Sequence, residues 1–294
     1  MIAAVIASFT ARYADKPVLA RLNWRAAMKT SRIARAWRLS RLALHLCLGI
    51  LEVAVCFPRR SAEARARAIQ RWSIRLCRIL AIRVNASGDN LGLTPPPNTV
   101  LVANHVSWLD IFVMNAVTVS RFVAKAEVRT WPVIGWLCVQ TGTLFVTREK
   151  RHDTRRINQQ IAGALSEGDC IAVFPEGSTT AGFDVISFNA SLLQPAIDAG
   201  ATLQPVALRY FDRQGERTDA AAYIGEMSLA DSMRRLLAEP AITVQLDFLD
   251  PMLCTTVHRR DLAKAAHAAI AAIVRVGGVS ADDHSPAEDA EDLA

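Results

Sequence analysis

The chain has 294 residues, room for one large domain or for one domain with an anchor. Hydrophobic residues make up 51% and the mean hydropathy is +0.19, far from the composition of a multi-span membrane protein. A net charge of +6 suits an anionic partner, either nucleic acid or lipid headgroups.

Residues 1–38 alternate short apolar patches with basic ones. The apolar run Ile2–Phe9 has no basic region ahead of it, so it is not a clean signal peptide. Met28 opens a second possible start, and residues 1–27 are expected to be dispensable. Leu42–Phe57 is an apolar run of sixteen residues holding His45 and Glu52, short of the ~20 that span a bilayer. Arg38 and Arg41 precede it and Arg59 and Arg60 follow it, so flanking charge sets no orientation. A helix dipping into one leaflet satisfies both flanks; a buried core helix is the alternative.

Pro58 ends that run, and Ser61 with Glu63 opens the next helix. Ile69, Trp72, Leu76 and Ile79 recur at helical spacing, with Arg67, Arg71, Arg75 and Arg78 on the remaining surface. That pattern fits an amphipathic helix at an anionic membrane interface, and equally a surface helix packed on the core. Cys47, Cys56 and Cys77 lie in these apolar segments and read as small buried hydrophobes. The six cysteines form no Cys-x-x-Cys and no Cys/His cluster, which argues against a metal site and a disulfide framework and fits a reducing cytoplasm.

Beyond Gly88, short β-rich runs alternate with helical patterns. Strands are expected at Ile82–Asn85, Thr99–Ala103, Arg121–Ala124, Thr143–Thr147, Cys170–Phe174, Gln204–Tyr210 and Ile242–Phe248. Helices are expected after Trp108 and over Thr154–Glu167, Leu192–Ala199, Asp231–Leu237 and Asp261–Val276. This alternation implies an α/β fold with a mostly parallel or mixed central sheet flanked by helices, its chemistry at strand C-termini. The expected organisation is a basic extension over 1–38, a membrane-associated helical hairpin over 39–83, an α/β domain over 84–278 and an acidic, disordered tail over 279–294.

The sharpest local signal is Asn104-His105-Val106-Ser107-Trp108-Leu109-Asp110, directly after the apolar strand Thr99–Ala103. On one continuous helix, residues five apart are rotated by roughly 140° and do not meet. A turn between them removes that obstacle. Asp110 can then hold one imidazole nitrogen of His105 and leave the other to take a proton from a hydroxyl. Ser107-x-x-Asp110 also matches a helix capping box with Ser107 as N-cap, which would explain both residues without chemistry. Ser107 is a poor nucleophile candidate, because no Gly-x-Ser-x-Gly elbow occurs in the chain.

Three weaker signals lie at other strand ends. Arg148 closes Gly142–Arg148 and has the fork geometry to clamp a phosphate, although a solvated strand-end Arg looks the same. Glu176 and Gly177 follow Phe174-Pro175, where the carboxylate can bind a hydroxyl and the glycine admits a ligand, or where the pair simply turns the chain. Lys125 ends Phe122–Lys125 and adds positive charge at the same edge.

Taken in order and spacing, these segments closely resemble the 1-acylglycerol-3-phosphate acyltransferases (lysophosphatidic acid acyltransferases) and related glycerolipid acyltransferases, over roughly Val100–Tyr210. His105-x4-Asp110, Gly142–Arg148, Phe174-Pro175-Glu176-Gly177 and Gln204-Pro205-Val206-Ala207 look like the family's four motifs, and Phe122–Lys125 like its lysine segment. The resemblance implies a glycerol-3-phosphate acyltransferase-like fold with an N-terminal membrane-associated helical segment. It implies His105 as general base oriented by Asp110, Lys125 and Arg148 on the acceptor's phosphate, and Glu176 and Gly177 placing the acceptor. It implies direct attack on an acyl thioester, acyl-CoA or acyl-carrier protein, by the sn-2 hydroxyl of 1-acyl-glycerol-3-phosphate to give phosphatidic acid. No cofactor is expected, and the enzyme would sit on the cytoplasmic face of the inner membrane. Many members carry an Arg two residues after the third motif's Gly, where this chain has Thr179. Arg148, Lys125 or Arg209 would have to compensate, or the acceptor is another lysolipid such as lyso-ornithine lipid. Nucleic acid is not an expected partner, because the Arg-rich stretch flanks apolar segments and no nucleic-acid module signature appears.

Overall fold

The computed structural model describes residues 29–88, 91–93, 95–146, 151–255 and 257–276, with the backbone alone over 151–157. The alternative start at Met28, Arg148 and the tail over 279–294 lie outside these residues.

Two helices open the described chain. Helix α1 spans Arg32–Cys56, N-capped by the Ser31 hydroxyl, and a 3-10 turn Phe57–Arg59 ends it. At about 37 Å, its 25 residues exceed a bilayer's ~30 Å hydrocarbon core. Only 22% of its most apolar window is buried, which rules out the buried core helix. The sixteen-residue run is therefore part of a longer helix. Arg35, Arg38 and Arg41 break the hydropathy but not the helix, and the expected boundary between 38 and 39 falls inside α1.

Helix α2, Ala62–Ile79, is N-capped by Ser61. The two helices meet along one stripe of α1, Leu42, His45, Gly49 and Val53, at helical spacing. A Cβ on Gly49 would stand 2.3 Å from the Trp72 indole nitrogen, so only glycine permits this approach. The two polar residues of the apolar run turn toward α2. His45 Nε2 lies 3.0 Å from the Trp72 carbonyl, and Glu52 accepts from Arg60 at 2.6 Å and from Arg71 at 3.5 Å. Leu39, Leu44, Leu46, Leu48, Leu51 and Val55 face outward and exposed. Cys47 is exposed and Cys56 half-buried, so of the three cysteines read as buried only Cys77 is fully so. The apolar side of α2 goes into the protein: Leu76, Cys77 and Ile79 are buried and Trp72 packs on Phe112. The apolar side of α2 thus packs on the core, while Arg67, Arg71, Arg75 and Arg78 remain exposed.

The rest is one mixed sheet with helices on both faces. Its strands are β1 (Ile82–Gly88), β2 (Thr99–Ala103), β3 (Arg121–Lys125), β4 (Leu144–Val146), β5 (Cys170–Val173), β6 (Thr202–Phe211), β7 (Ile242–Phe248) and β8 (Met252–Leu253). The order is β1-β7-β6-β2-β5-β3-β4, with β8 beside β6. The helices are α3 (Asp110–Val117), α4 (Ile134–Gln140), α5 (Arg151–Ser166), α6 (Gln194–Asp198), α7 (Leu229–Ala238) and α8 (Arg259–Val274). Leu101, Ala103, Ala172, Val206, Leu208 and Tyr210 point into a core shared with α2, α3 and α7. Val100, Val102, Ile171, Val173, Leu203 and Ala207 point into a second core with α5, α6 and α8. Burial on both faces explains why the central strand reads as an unbroken apolar run.

β2 pairs in parallel with β5 and β6, β5 with β3, and β3 with β4. The segments that follow β2, β5, β3 and β4 therefore leave from one edge of the sheet. The expected strands all form, within a few residues at their ends. Helix α4, the short β8 and a 3-10 turn at Ala126–Thr130 are additional elements.

Candidate active site

β2 delivers His105 to that edge. The Asn104 carboxamide continues the ladder as a strand residue would, its Nδ2 donating to the Leu208 carbonyl and its Oδ1 accepting from the Leu208 N–H at 2.7 Å. The chain then turns sharply into α3, and nearly every backbone group of the turn is paired. The His105 N–H donates to Glu176 Oε1 at 2.7 Å, and its carbonyl accepts from the Thr180 N–H at 2.9 Å. The Val106 and Ser107 N–H groups donate to Asp110 Oδ2 at 2.7 and 3.0 Å, and the Val106 carbonyl accepts from the Tyr223 N–H at 2.9 Å. A loop with its polar groups so engaged is rigid.

Within it, His105 Nδ1 stands 2.7 Å from Asp110 Oδ2. Asp110 is fully buried, while the His105 side chain is 21% exposed. The ring stacks on Phe174, centroids 4.1 Å apart and planes 10° apart, and Phe174 stacks in turn on Phe122. With Nδ1 held by the carboxylate, Nε2 is the nitrogen left to meet a ligand. The capping box is half present. Asp110 reaches back to the Ser107 N–H, but the Ser107 hydroxyl bonds to Leu109 N and the N-cap position falls on Leu109. Ser107 is therefore not the N-cap.

Asp110 has one partner that the sequence did not mark. The Tyr210 hydroxyl, on β6, donates to Asp110 Oδ1 at 2.6 Å. Complete burial, with the Asp110 charge beside it, pushes the Tyr210 phenol well above its ordinary range and keeps it a neutral donor. Alternation along β6 from Val206 and Leu208 places Tyr210 on this face, the one signal that could have pointed to it.

Glu176 is buried, and both its oxygens are used inside the protein: Oε1 by His105 N–H and Oε2 by Ile186 N–H at 3.0 Å. Burial raises its carboxyl above the ordinary range against the pull of these two donors. It stands as a brace between the His105 loop and the chain after β5. Gly177 has φ 74° and donates its N–H to the Phe174 carbonyl at 3.1 Å, so the turn itself requires a glycine there. Lys125 ends β3 exposed, in register with Val146 at the end of β4. The structure thus gathers His105, Asp110, Glu176 and Gly177 and places Lys125 on the same edge two strands away.

Arg209 does not join them. It alternates with Tyr210 on β6, lies buried on the other face and pairs with Asp247 at 2.8 Å. The Thr179 hydroxyl donates to the Tyr223 carbonyl, a bond within the protein at the position where many relatives were expected to carry an Arg. Burial lifts the Cys77 and Cys170 thiols to about 12, where a thiolate nucleophile is not accessible near neutral pH. Among the described residues, no three His, Cys, Asp or Glu side chains gather as a metal site.

A buried carboxylate holding a partly exposed imidazole, on a rigid loop at the C-terminal edge of a sheet, is an arrangement that can take a proton from a hydroxyl. An acyltransferase family model matches residues 83–209. A lyso-ornithine lipid O-acyltransferase of Pseudomonas aeruginosa is 38% identical over 206 residues, 70% of this chain and 78% of that protein. A 1-acyl-sn-glycerol-3-phosphate acyltransferase of Neisseria gonorrhoeae is 44% identical over 154 residues, 52% of this chain; the match spans 60% of the Neisseria protein's length. The crystal structure of the 1-acyl-sn-glycerophosphate acyltransferase PlsC from Thermotoga maritima shares the fold, with a TM-score of 0.62 at 19% identity, over 82% of this chain and 93% of that one. The chain belongs to the acyltransferase family.

Proposed function

We propose that this protein is a lysophospholipid acyltransferase that moves a fatty acyl group from an acyl thioester, acyl-CoA or acyl-carrier protein, to the free hydroxyl of a membrane lysolipid. The observation that carries this reading is the 2.7 Å contact between His105 Nδ1 and the buried Asp110. His105 Nε2 takes the hydroxyl proton as the acceptor oxygen attacks the thioester carbonyl. Asp110 stabilises the imidazolium that forms, the C–S bond breaks, and the imidazolium returns the proton to the departing thiolate. Glu176 and Gly177 act by shaping the loop around His105, and Lys125 with Arg148 supplies positive charge for an anionic headgroup. The exposed apolar face of α1 seats the protein at the cytoplasmic face of the inner membrane, where both substrates lie. The domain assignment follows the same logic: a helical hairpin for the membrane and an α/β unit for the chemistry.

Lysophosphatidic acid is the acceptor this edge fits if Lys125 and Arg148 hold its phosphate, giving phosphatidic acid. One observation favours a second acceptor. Thr179 is committed to the Tyr223 carbonyl and Arg209 to Asp247 on the other face, so neither serves a phosphate monoester. A lysolipid without one, such as lyso-ornithine lipid, fits that edge with fewer cations. Purified protein supplied with labelled acyl-CoA or labelled acyl-carrier protein and either lysolipid decides between them by which diacyl product forms. Acylation of neither would contradict the reading.

A further inference from the structure

We propose that the connection between β3 and β4 is a second membrane-seating surface, which with α1 brackets the mouth of the site against an anionic bilayer; this rests on the membrane reading of α1 given above. The connection exposes Trp131, Val133, Ile134, Trp136 and Val139, with Trp131 and Val133 each 51% accessible. Five large apolar side chains within nine residues are too many for scattered surface hydrophobes. Trp is the side chain suited to the bilayer interface, where its ring meets acyl chains and its N–H meets water.

The local backbone presents this surface at a cost. Val133 has φ 63° and ψ −52°, a γ-turn closed by the Ile134 N–H on the Pro132 carbonyl at 2.6 Å. A β-branched residue rarely adopts it. The apolar core gains nothing from a turn whose own side chain points to solvent.

Three placements name the occupant as a bilayer. Leu137, on the other side of α4, packs on the small core of Val53, Phe57 and Ala68, so the connection adjoins the C-terminal end of α1. The connection leaves β3 at Lys125, on the edge that carries His105. Exposed Lys125 and Arg129 lie at its start around exposed Glu127, a net positive charge that complements anionic headgroups. A lysolipid entering between α1 and this surface would meet the site without crossing water.

The test is Trp fluorescence of the full chain on phosphatidylethanolamine/phosphatidylglycerol vesicles whose acyl chains are brominated. A Trp131→Phe/Trp136→Phe variant should still sediment with vesicles and lose a resolved share of the bromine-quenched emission. A Trp131→Glu/Trp136→Glu variant, with unchanged circular dichroism in detergent, should partition onto vesicles about tenfold less. Equal quenching in the wild type and the Phe variant would overturn the proposal. So would a wild type that runs as a dimer in vesicle-free buffer while the Glu variant runs as a monomer, because the surface would then belong to a second copy. None of these readouts needs turnover, so loss of the acyl-transfer reading would leave them interpretable.

Discussion

The Tyr210 phenol donates to Asp110 Oδ1 at 2.6 Å while His105 holds Oδ2 at 2.7 Å, so one buried carboxylate is shared between a strand 100 residues away and the imidazole of its own loop. The carboxylate is fixed from both sides, and with it the ring of His105. Tyr210→Phe removes a hydrogen bond to a charged group and should lower unfolding stability by about 1.5–3 kcal/mol. Because two loop N–H groups still hold Oδ2, kcat should fall less than tenfold. Urea unfolding in detergent, paired with initial rates, checks both; a loss of kcat as large as that of Asp110→Asn would contradict the division of roles.

Asp110→Asn keeps the volume and replaces an acceptor-only group with one that also donates. Its amide faces either the loop N–H groups or the Tyr210 hydroxyl, and it cannot stabilise an imidazolium. We expect kcat to drop by about 10²–10⁴, the usual worth of positioned general-base catalysis, with far less change in KM. Steady-state rates at saturating acceptor measure this.

Burial raises the Glu176 carboxyl above its ordinary 4.5. The folded state therefore binds the proton more tightly than the unfolded chain does. That stabilisation is complete below pH 4.5 and is lost as pH rises through the folded value. Glu176→Gln does not titrate. The stability difference, wild type minus variant, should thus be larger at pH 4.5 than at pH 7.5. Denaturation curves at the two pH values check the sign, and a difference that grows with pH would contradict it.

Gly49→Ala places a Cβ against the Trp72 indole and pushes α1 from α2. Overpacking of this kind costs about 1–3 kcal/mol. Thermal unfolding in detergent should show the loss, and Ala54→Leu, on the exposed face of α1, should show none.

Much of this molecule was legible in its residues. β2 and β7 form at the expected bounds because one is an apolar run between turn residues and the other alternates Ile242, Val244, Leu246 and Phe248 with polar residues, both clear strand patterns. The His105–Asp110 pairing was legible too, since a strand end followed by a turn brings the two together. Helix α1 was read short because hydropathy was read in place of helix propensity. Arg35, Arg38 and Arg41 are good helix formers, and the Ser31 cap lies ahead of them. Helix α4 was missed because seven residues, one of them Gly135, are too few to show a period. The partners of Glu176 were beyond reach: its oxygens meet N–H groups at His105 and Ile186, and no spacing in sequence encodes a backbone donor that distant. Arg209 offered its charge to the wrong face, an error that strand alternation from Tyr210 would have caught.

The central claim is that His105 is the base. Its side chain is partly exposed, so His105→Ala should fold, with circular dichroism and vesicle binding like the wild type. Purified wild type and variant are compared with labelled acyl-CoA, labelled acyl-carrier protein and a panel of lysolipids that includes lysophosphatidic acid and lyso-ornithine lipid. A diacyl product is expected from the wild type, with a loss of at least about 10²-fold in kcat in the variant with every acceptor. A variant with wild-type turnover would contradict it and leave His105 and Asp110 as the residues that shape the start of α3.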